Sequence, residues 1–248
     1  MNYIYLLCSL QWKRYLGSRI RMFSSLGQPL MLMCVLGFGI EPLFQKATQG
    51  SYIQFLCPGV IGTTLLFTSA ISGLGLVLDR QFGFLKQTLV APAPRILIML
   101  GRTLGGATIS VSQALIVMVI CLVAGFRPTG IETLPMALVF MLLIALVFNA
   151  LATAIASNLS DLQAFPLLTN FLFAPIAFLS GAYYPTTNVP VLLKWCAQVN
   201  PLSYGVDGLR GVLIGTYRFS LLTDLAVLCV VTIVLLLLGS YLFCKIEP

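Results

Sequence analysis

The charged residues of this chain leave a few very long stretches that contain none of them. Six windows of at least 19 residues lie between consecutive Asp, Glu, Lys or Arg residues. About 20 apolar residues cross the hydrocarbon layer of a bilayer as a helix, and a helix satisfies its own backbone hydrogen bonds in lipid. The pattern therefore predicts an all-α integral membrane protein with six transmembrane helices. The windows are 22–40, 47–78, 103–126, 133–160, 162–193 and 225–244.

The composition agrees with this prediction. Only 8% of the residues are charged, whereas about a quarter of a soluble globular domain is charged. So few charges cannot cover a water-facing surface, and we expect a single transmembrane domain over residues 1–248. The spans are placed at 22–40, 55–78, 103–126, 134–156, 162–182 and 221–244.

The distribution of Lys and Arg orients the spans. With an inside N-terminus, nine of these residues fall in inner segments and five in outer segments, and basic residues favour the cytoplasmic side. An even number of spans then places both termini in the cytoplasm. The net charge of +7 is explained by anchoring to anionic lipid headgroups, so membrane lipids are expected partners and nucleic acid is not.

Two cytoplasmic segments are unusual. Residues 1–21 are first aromatic and then basic, which favours an interfacial helix, although an extension of the first span is an alternative. Residues 79–95 are strongly charged and end in Pro92 and Pro94, which stop a helix. This segment is expected to be either an amphipathic docking helix with Phe84 protruding, or a helix lying among the headgroups.

A third unusual segment is the outer stretch NPLSYGVDGLRG, residues 200–211. Asn200 is a good helix N-cap and Pro201 suits the first helical position. At 100° per residue, Asp207 and Arg210 can pair on one side, away from a strip of glycines. With 189–199 as a further helix, residues 183–218 are expected to form two short helices that dip from the outer surface. The alternative is a loop on the headgroups. The glycine strip is Gly205, Gly208, Gly211 and Gly215.

Several chemistries are excluded. The chain has no histidine, which removes histidine acid–base catalysis and histidine metal ligation. It has neither a GxSxG nucleophile elbow nor a GxxxxGK[ST] P-loop. The six charge-free windows lack the ionisable groups that ion-coupled carriers need at mid-membrane depth. The chain is therefore not expected to be an enzyme, and uphill transport requires energy supplied from outside it.

Three sequence motifs resemble those of a known family. FLSGAYYP (178–185), Pro190 and NPLSYGVDGLRGVLIG (200–215) are similar to the signature of type-two permeases of ATP-binding-cassette (ABC) exporters. DRQFGFLKQTLVAPAPRILIMLGRTLGG (79–106) resembles the cytoplasmic loop of the same family, closest to its antibiotic-resistance branch. The resemblance covers essentially the whole chain.

The resemblance implies a bacterial inner-membrane permease that forms a homodimer and binds two separate ABC ATPase subunits. ATP and Mg would be bound by the ATPase, with no cofactor in this chain. Residues 79–91 would match the coupling helix, and the N-terminal helix and the 157–161 turn would complete the ATPase-facing surface. The coupling residues would be Arg80, Phe82, Phe84 and Lys86.

The same resemblance places spans two and five beside the transport pathway and makes residues 183–215 re-entrant helices that cap it. Span two is rich in small and hydroxyl residues, which suits a pathway but equally suits plain helix packing. Pathway residues would be Thr64, Thr68, Ser72, Asn170 and Phe173, and outer-gate residues would be Asn200, Pro201, Gly205, Asp207, Gly208, Arg210 and Gly211.

The expected function is export of an amphipathic or lipid-like substrate by alternating access, because few charges line the expected pathway. Export of a polysaccharide or lipid-linked glycan by the same machinery is an alternative. A non-transporting membrane scaffold or assembly factor is an alternative of another class.

Overall fold

A computed structural model describes residues 3–17, 19–39, 51–84, 94–159, 161–185 and 190–244. Throughout this part of the chain the regular structure is helical, which confirms the all-α prediction. A π-helical turn, Met33–Phe38, follows α2, and a short 3₁₀ turn, Ile131–Thr133, precedes α5. The helices are α1 (Tyr3–Leu16), α2 (Arg19–Leu32), α3 (Tyr52–Gln81), α4 (Arg95–Val123), α5 (Leu134–Asn158), α6 (Ala164–Leu179), α7 (Val191–Val199), α8 (Pro201–Ile214) and α9 (Leu221–Cys244).

Four helices in the described ranges are long and apolar enough to cross a membrane, namely α3, α4, α5 and Leu221–Phe243 of α9. Two shorter apolar helices, Leu26–Gly37 and Ala164–Leu179, lie within the other two predicted spans. At 1.5 Å per residue, α6 is about 24 Å long, which is less than the roughly 30 Å of hydrocarbon. The chain leaves this helix through Gly181, whose φ of 74° favours glycine.

The centre of the molecule is the packing of α3, α4 and α5, with α8 and α9 against them. Small residues allow the close approach. A Cβ atom built on Gly73 of α3 would lie 2.8 Å from Ala152 Cβ and 2.9 Å from Phe165 Cζ. Small residues at such contacts let helix backbones pack closely in lipid, so part of the small-residue content of α3 serves packing.

A buried polar cluster joins the same three helices. The Asn149 Nδ2 of α5 donates to Ser69 Oγ of α3 at 2.7 Å and to Ser110 Oγ of α4 at 3.2 Å. The same amide also donates to the Ala145 carbonyl at 2.8 Å. Because a buried polar group is costly without a partner, this cluster favours one relative register of α3, α4 and α5.

The N-terminal helix α1 lies along the first half of α4. Contacts advance together along both helices, so the two run parallel. Gly101 and Gly105 make room for α1, since a Cβ built on Gly105 would lie 3.2 Å from Cys8 Cα. The contacts are Cys8 Sγ to Gly101 O (3.4 Å), Gln11 Nε2 to Arg102 O (3.1 Å), Trp12 Nε1 to Thr108 Oγ1 (3.0 Å), and Tyr15 with Gln113.

Candidate functional site

A cavity of about 310 Å³ lies between α1, α3 and α4. Pockets that bind small molecules commonly measure about 300–1,000 Å³, so the cavity is large enough for a ligand. Its lining combines apolar, polar and charged side chains. The apolar lining residues are Leu7, Leu10, Ile71, Leu78 and Ile109, and the remaining ones are Gln11, Arg14, Tyr15, Thr68, Ser72, Gly75, Asp79 and Arg102.

Three charged side chains form the charged part of this lining. Arg14 Nη1 donates to the two oxygens of the Asp79 carboxylate at 2.8 and 3.0 Å, and Arg102 Nη2 forms a second ion pair with it. Arg14 lies near the end of α1, Asp79 near the end of α3 and Arg102 in the second turn of α4. The triad therefore ties three helices together and carries a formal charge of +1.

A row of hydroxyl groups on α3 connects this cavity to a second one. Thr64, Thr68 and Ser72 are spaced four residues apart, which places them on one helix face. Thr68 and Ser72 line the larger cavity. Thr64 and Thr68 line a cavity of about 70 Å³ beside Gln28 and Pro29 of α2. Three of the five predicted pathway residues thus lie on one continuous polar row.

The other two predicted pathway residues lie elsewhere. Phe173 of α6 is buried, and its ring centroid lies 6.1 Å from that of Phe148 in an edge-on contact. Asn170 of α6 is exposed, and so is its neighbour Phe171, which is 85% exposed. Within one chain the structure does not bring these two residues to the hydroxyl row. A pathway that includes Asn170 stays a prediction for the assembly of two copies.

The predicted coupling residues lie at and beyond the end of α3. The helix continues to Gln81, so Arg80 belongs to its last turn and donates to the Ser157 carbonyl of α5 at 3.3 Å. Phe82 and Phe84 are 68% and 50% exposed. Between them Gly83 has a φ of 75°, where a glycine lets the chain turn without strain. Lys86 lies outside the described residues.

The segment 183–218 holds two helices, α7 and α8, and Asn200 joins them. The Asn200 side-chain oxygen accepts from the Leu202 N–H at 3.0 Å and caps α8, with Pro201 in the first position. The Asn200 amide donates to the Ile176 carbonyl of α6 at 2.7 Å. The cap therefore also fixes α8 to the preceding helix. Gly215, with a φ of 82°, ends α8.

The glycine strip of α8 faces protein. A Cβ atom built on Gly205 would lie 2.5 Å from Ile144 Cγ1 of α5, one on Gly208 would overlap the Phe140 ring, and one on Gly211 would overlap Tyr217. The helix is buried on most of its surface. It therefore lies among α3, α5 and α9 and is not a loop resting on the headgroups.

The expected pairing of Asp207 with Arg210 is wrong, because each binds different groups. The buried Asp207 carboxylate accepts from the N–H of Arg218 at 3.0 Å and of Phe219 at 2.8 Å. These N–H groups belong to the turn between α8 and α9. The Asp207 carboxylate therefore holds this turn against α8.

Arg210 binds other parts of the chain than Asp207 does. Its guanidinium donates to the carbonyls of Gly181 at 3.3 Å and Phe55 at 3.4 Å, and lies 3.9 Å from the centroid of the Phe55 ring. Burial lowers the pKa of Arg210 to about 10, an effect that the Asp207 carboxylate opposes. The side chain thus remains charged at neutral pH and joins α8 to α3 and to the turn after α6.

The sequence did not indicate two features: the burial of Asp224 and the ion-paired triad. Asp224 lies in the first turn of α9, fully buried, and among the described residues its carboxylate oxygens have no hydrogen-bond partner. The triad of Arg14, Asp79 and Arg102 joins residues up to 88 positions apart in sequence. The one available signal was the position of these charges at the ends of long apolar stretches, which does not indicate which residues pair.

Comparisons with known proteins identify the family. Residues 2–214 match the family described as ABC-2 type transporter. The chain belongs to the ABC-2 type transporter family. This confirms the resemblance to type-two ABC permeases, and the apolar helices make the chain a multi-pass membrane protein. The match ends at Ile214, so it includes the cavity and all of α8.

Individual relatives agree with this assignment. The ycf38 protein of Pyropia yezoensis is 33% identical over 190 residues, which cover 74% of this chain and 64% of that protein. The inner membrane transport permease YadH of Escherichia coli (strain K12) is 26% identical over 201 residues, covering 78% and 73%. Nodulation protein J of Rhizobium leguminosarum bv. trifolii is 23% identical over 235 residues, covering 93% and 87%. The alignment spans slightly less than two thirds of the ycf38 protein.

Proposed function

We propose that this ABC-2 type chain is the permease subunit of an ATP-driven exporter in a bacterial inner membrane, and that it moves an amphipathic or lipid-like substrate. The observation that carries the substrate class is the cavity between α1, α3 and α4. Its walls combine apolar side chains, a row of hydroxyl groups and a charged end, which matches a molecule with an apolar body and a polar head.

The energy is proposed to come from a separate ABC ATPase. The sequence contains no P-loop of its own. Phe82 and Phe84 are exposed at the turn that follows α3. Aromatic side chains that become buried when a complex forms are frequent anchors of protein interfaces. We assign these two residues to the ATPase contact, together with the neighbouring Arg80 and Lys86.

The position of this contact gives a route for coupling. The chain between Phe84 and Arg95 joins α3 to α4, and both helices line the cavity. The Asp79–Arg102 ion pair links the end of α3 to the beginning of α4. A displacement of the turn by the ATPase would therefore move two cavity walls together, without a relay through distant residues.

Alternating access is proposed to involve two permease copies and two ATPases. The exposed face of α6, with Asn170 and Phe171, is the surface that we assign to the second copy. The α8 helix, wedged among α3, α5 and α9, is proposed as the outer gate. In this arrangement the gate is opened by a change in helix packing, because its charged groups are already engaged within the chain.

The docking assignment is tested by replacing both aromatics, Phe82→Ala and Phe84→Ala, in the chain purified with its ATPase. Loss of two anchors worth about 2 kcal/mol each predicts an ATPase affinity that is roughly a hundredfold to a thousandfold weaker, since about 1.4 kcal/mol corresponds to tenfold. The measurement is the Kd of the ATPase for the permease in nanodiscs. Trp195→Ala, an exposed aromatic on α7, is the control and should leave the Kd unchanged.

An unchanged Kd in the double variant would show that the aromatic turn is not the docking element. If no active ATPase copurifies with the unmodified chain from its native membrane, the scaffold alternative replaces the transporter.

A further inference from the structure

We infer that the cavity between α1, α3 and α4 is a binding site for an amphipath whose head group carries one negative charge. The head lies at Arg14 and Arg102, and the tail lies along the apolar wall that includes Leu7, Ile71 and Leu78. This inference rests on the proposed function and deepens it by giving the charge of the ligand and the place where it binds.

The charge of the cavity is the first observation. Two guanidinium groups face one carboxylate, that of Asp79. The Arg102 side chain is only 13% exposed and its buried charge is compensated by Asp79, whereas the Arg14 side chain is 56% exposed and shares the same carboxylate. Asp79 supplies one negative charge for two positive ones. A single acidic head group would complete the neutralisation.

The hydrogen-bonding capacity of the arginines is the second observation. The Nε of Arg102 is fully buried and has no hydrogen-bond partner in the described part of the chain, so Arg14 is the arginine whose donors a ligand reaches more readily. Arg14 uses Nη1 for Asp79, and 56% of its side chain is exposed, so the group is accessible to a ligand. Planar guanidinium groups suit phosphate and carboxylate oxygens, which favours an acidic head over a neutral hydroxyl.

The apolar lining of the cavity and its opening indicate where the apolar tail of the ligand lies. Leu7 and Leu10 of α1 and Ile71 and Leu78 of α3 line the cavity. Leu10 and Ile71 are also 44% and 40% exposed, so the cavity opens between α1 and α3. An acyl chain can enter along this opening while its head stays at the triad.

Gly75 provides a direct way to fill the cavity. It lines the cavity, and a Cβ atom built on it would meet no atom within 4 Å. A leucine at this position can therefore occupy the ligand volume without displacing the protein. Gly130 has equally open surroundings and does not line this cavity, so it serves as the matched control.

The experiment measures ligand binding to the purified chain without any ATPase. The probes are fluorescent phosphatidylglycerol, which has one negative charge, and zwitterionic phosphatidylcholine with the same chains. We expect at least tenfold tighter binding of phosphatidylglycerol. Arg14→Gln should abolish this preference and Gly75→Leu should weaken binding of both lipids tenfold or more. The controls Lys13→Gln and Gly130→Leu should leave both affinities unchanged.

Equal affinities for the two lipids in the unmodified chain would overturn the inference, as would unchanged binding in Gly75→Leu. Gly75→Leu leaves the three charged side chains of the triad unchanged, so it keeps the test decisive if Arg14→Gln unfolds. Phosphatidylglycerol retained through purification identifies a bilayer lipid as the source. Binding of added lysophosphatidylglycerol alone identifies a mobile single-chain ligand, and either result supports the site.

The binding measurement and the ATPase measurement fail independently. A chain that binds its ATPase through Phe82 and Phe84 but has no preference for the anionic lipid loses only this inference. A chain that binds the anionic lipid but has no ATPase loses the proposed function, and the cavity is then a site for a structural lipid.

Discussion

At the scale of single residues, Asp79 controls the charge of the cavity because its carboxylate pairs with two arginines from two other helices. It is 6% exposed and lies at the end of a long apolar helix. Removing one member of a buried ion pair leaves the partner charge uncompensated. Asp79 therefore determines both the stability of this region and the net charge that a ligand meets.

The variant Asp79→Asn keeps the size of the side chain and removes its charge. We expect a loss of about 3–5 kcal/mol in the free energy of unfolding, the range for breaking a buried ion pair. The measurement is chemical denaturation of the purified chain in detergent. Asp161→Asn is the control, because Asp161 is exposed and its carboxylate accepts from the nearby Gln163 N–H. An equally small loss of unfolding free energy in both variants would show that the triad does not stabilise the packing of the three helices.

Local residue roles could be predicted from the sequence, and long-range ones could not. The Asn200 cap depends on neighbours within one turn, where helix geometry is fixed, whereas Thr64, Thr68 and Ser72 were named as pathway residues by the family resemblance. The pairing of Asp207 with Arg210 was predicted from the same geometry and is wrong. Its competitors are backbone groups of Arg218, Phe219 and Gly181, which only the tertiary structure brings close.

At the scale of helices, the glycines of α8 fix its distance from α5. Gly205 faces Ile144 and Gly208 faces Phe140. In lipid, where apolar tails compete equally for apolar side chains, close packing is a main source of helix association. The outer helix is therefore held by shape as well as by the two charges that bind its neighbouring turns.

Replacing Gly208 by leucine would place a branched side chain in the volume of the Phe140 ring. Overpacking of this kind costs about 1–3 kcal/mol, occasionally more, so Gly208→Leu should lower the Tm and impair export or assembly while membrane insertion survives. Thermal unfolding and membrane fractionation measure the two effects. Gly75→Leu, a helical glycine facing open space, should keep the Tm. A normal Tm for Gly208→Leu would argue against the close contact with α5.

The charge-free windows located the long helices, but two predicted spans stop short of the helices: α3 continues past 78 to Gln81, and α4 begins at Arg95 and not at 103. Asp79, Arg102 and Asp224 all lie inside helices, although each one bounded a window in the sequence. A charge can remain in a membrane helix where it is paired or lies near the helix end. The pairing of Asp79 with Arg102 could not be seen in the sequence, so the helices were read as shorter than they are.

At the scale of the whole molecule, the exposed turn, the cavity and the outer helix are arranged around α3. Its end precedes Phe82 and Phe84, its middle carries the hydroxyl row, and its beginning contacts the outer segment through Gly59 and Gly62. One helix thus connects the proposed ATPase contact to the proposed gate. A rigid-body shift of α3 would change the cavity and the gate together.

The central claim is tested most directly by following a fluorescent phosphatidylglycerol across the bilayer of proteoliposomes that contain the chain and its ATPase. The account predicts that ATP accelerates movement of the probe out of the ATPase-facing leaflet several-fold. It also predicts that liposomes with the ATPase alone show no acceleration. Equal rates with ATP and with a non-hydrolysable analogue, in liposomes where the complex is assembled, would contradict it.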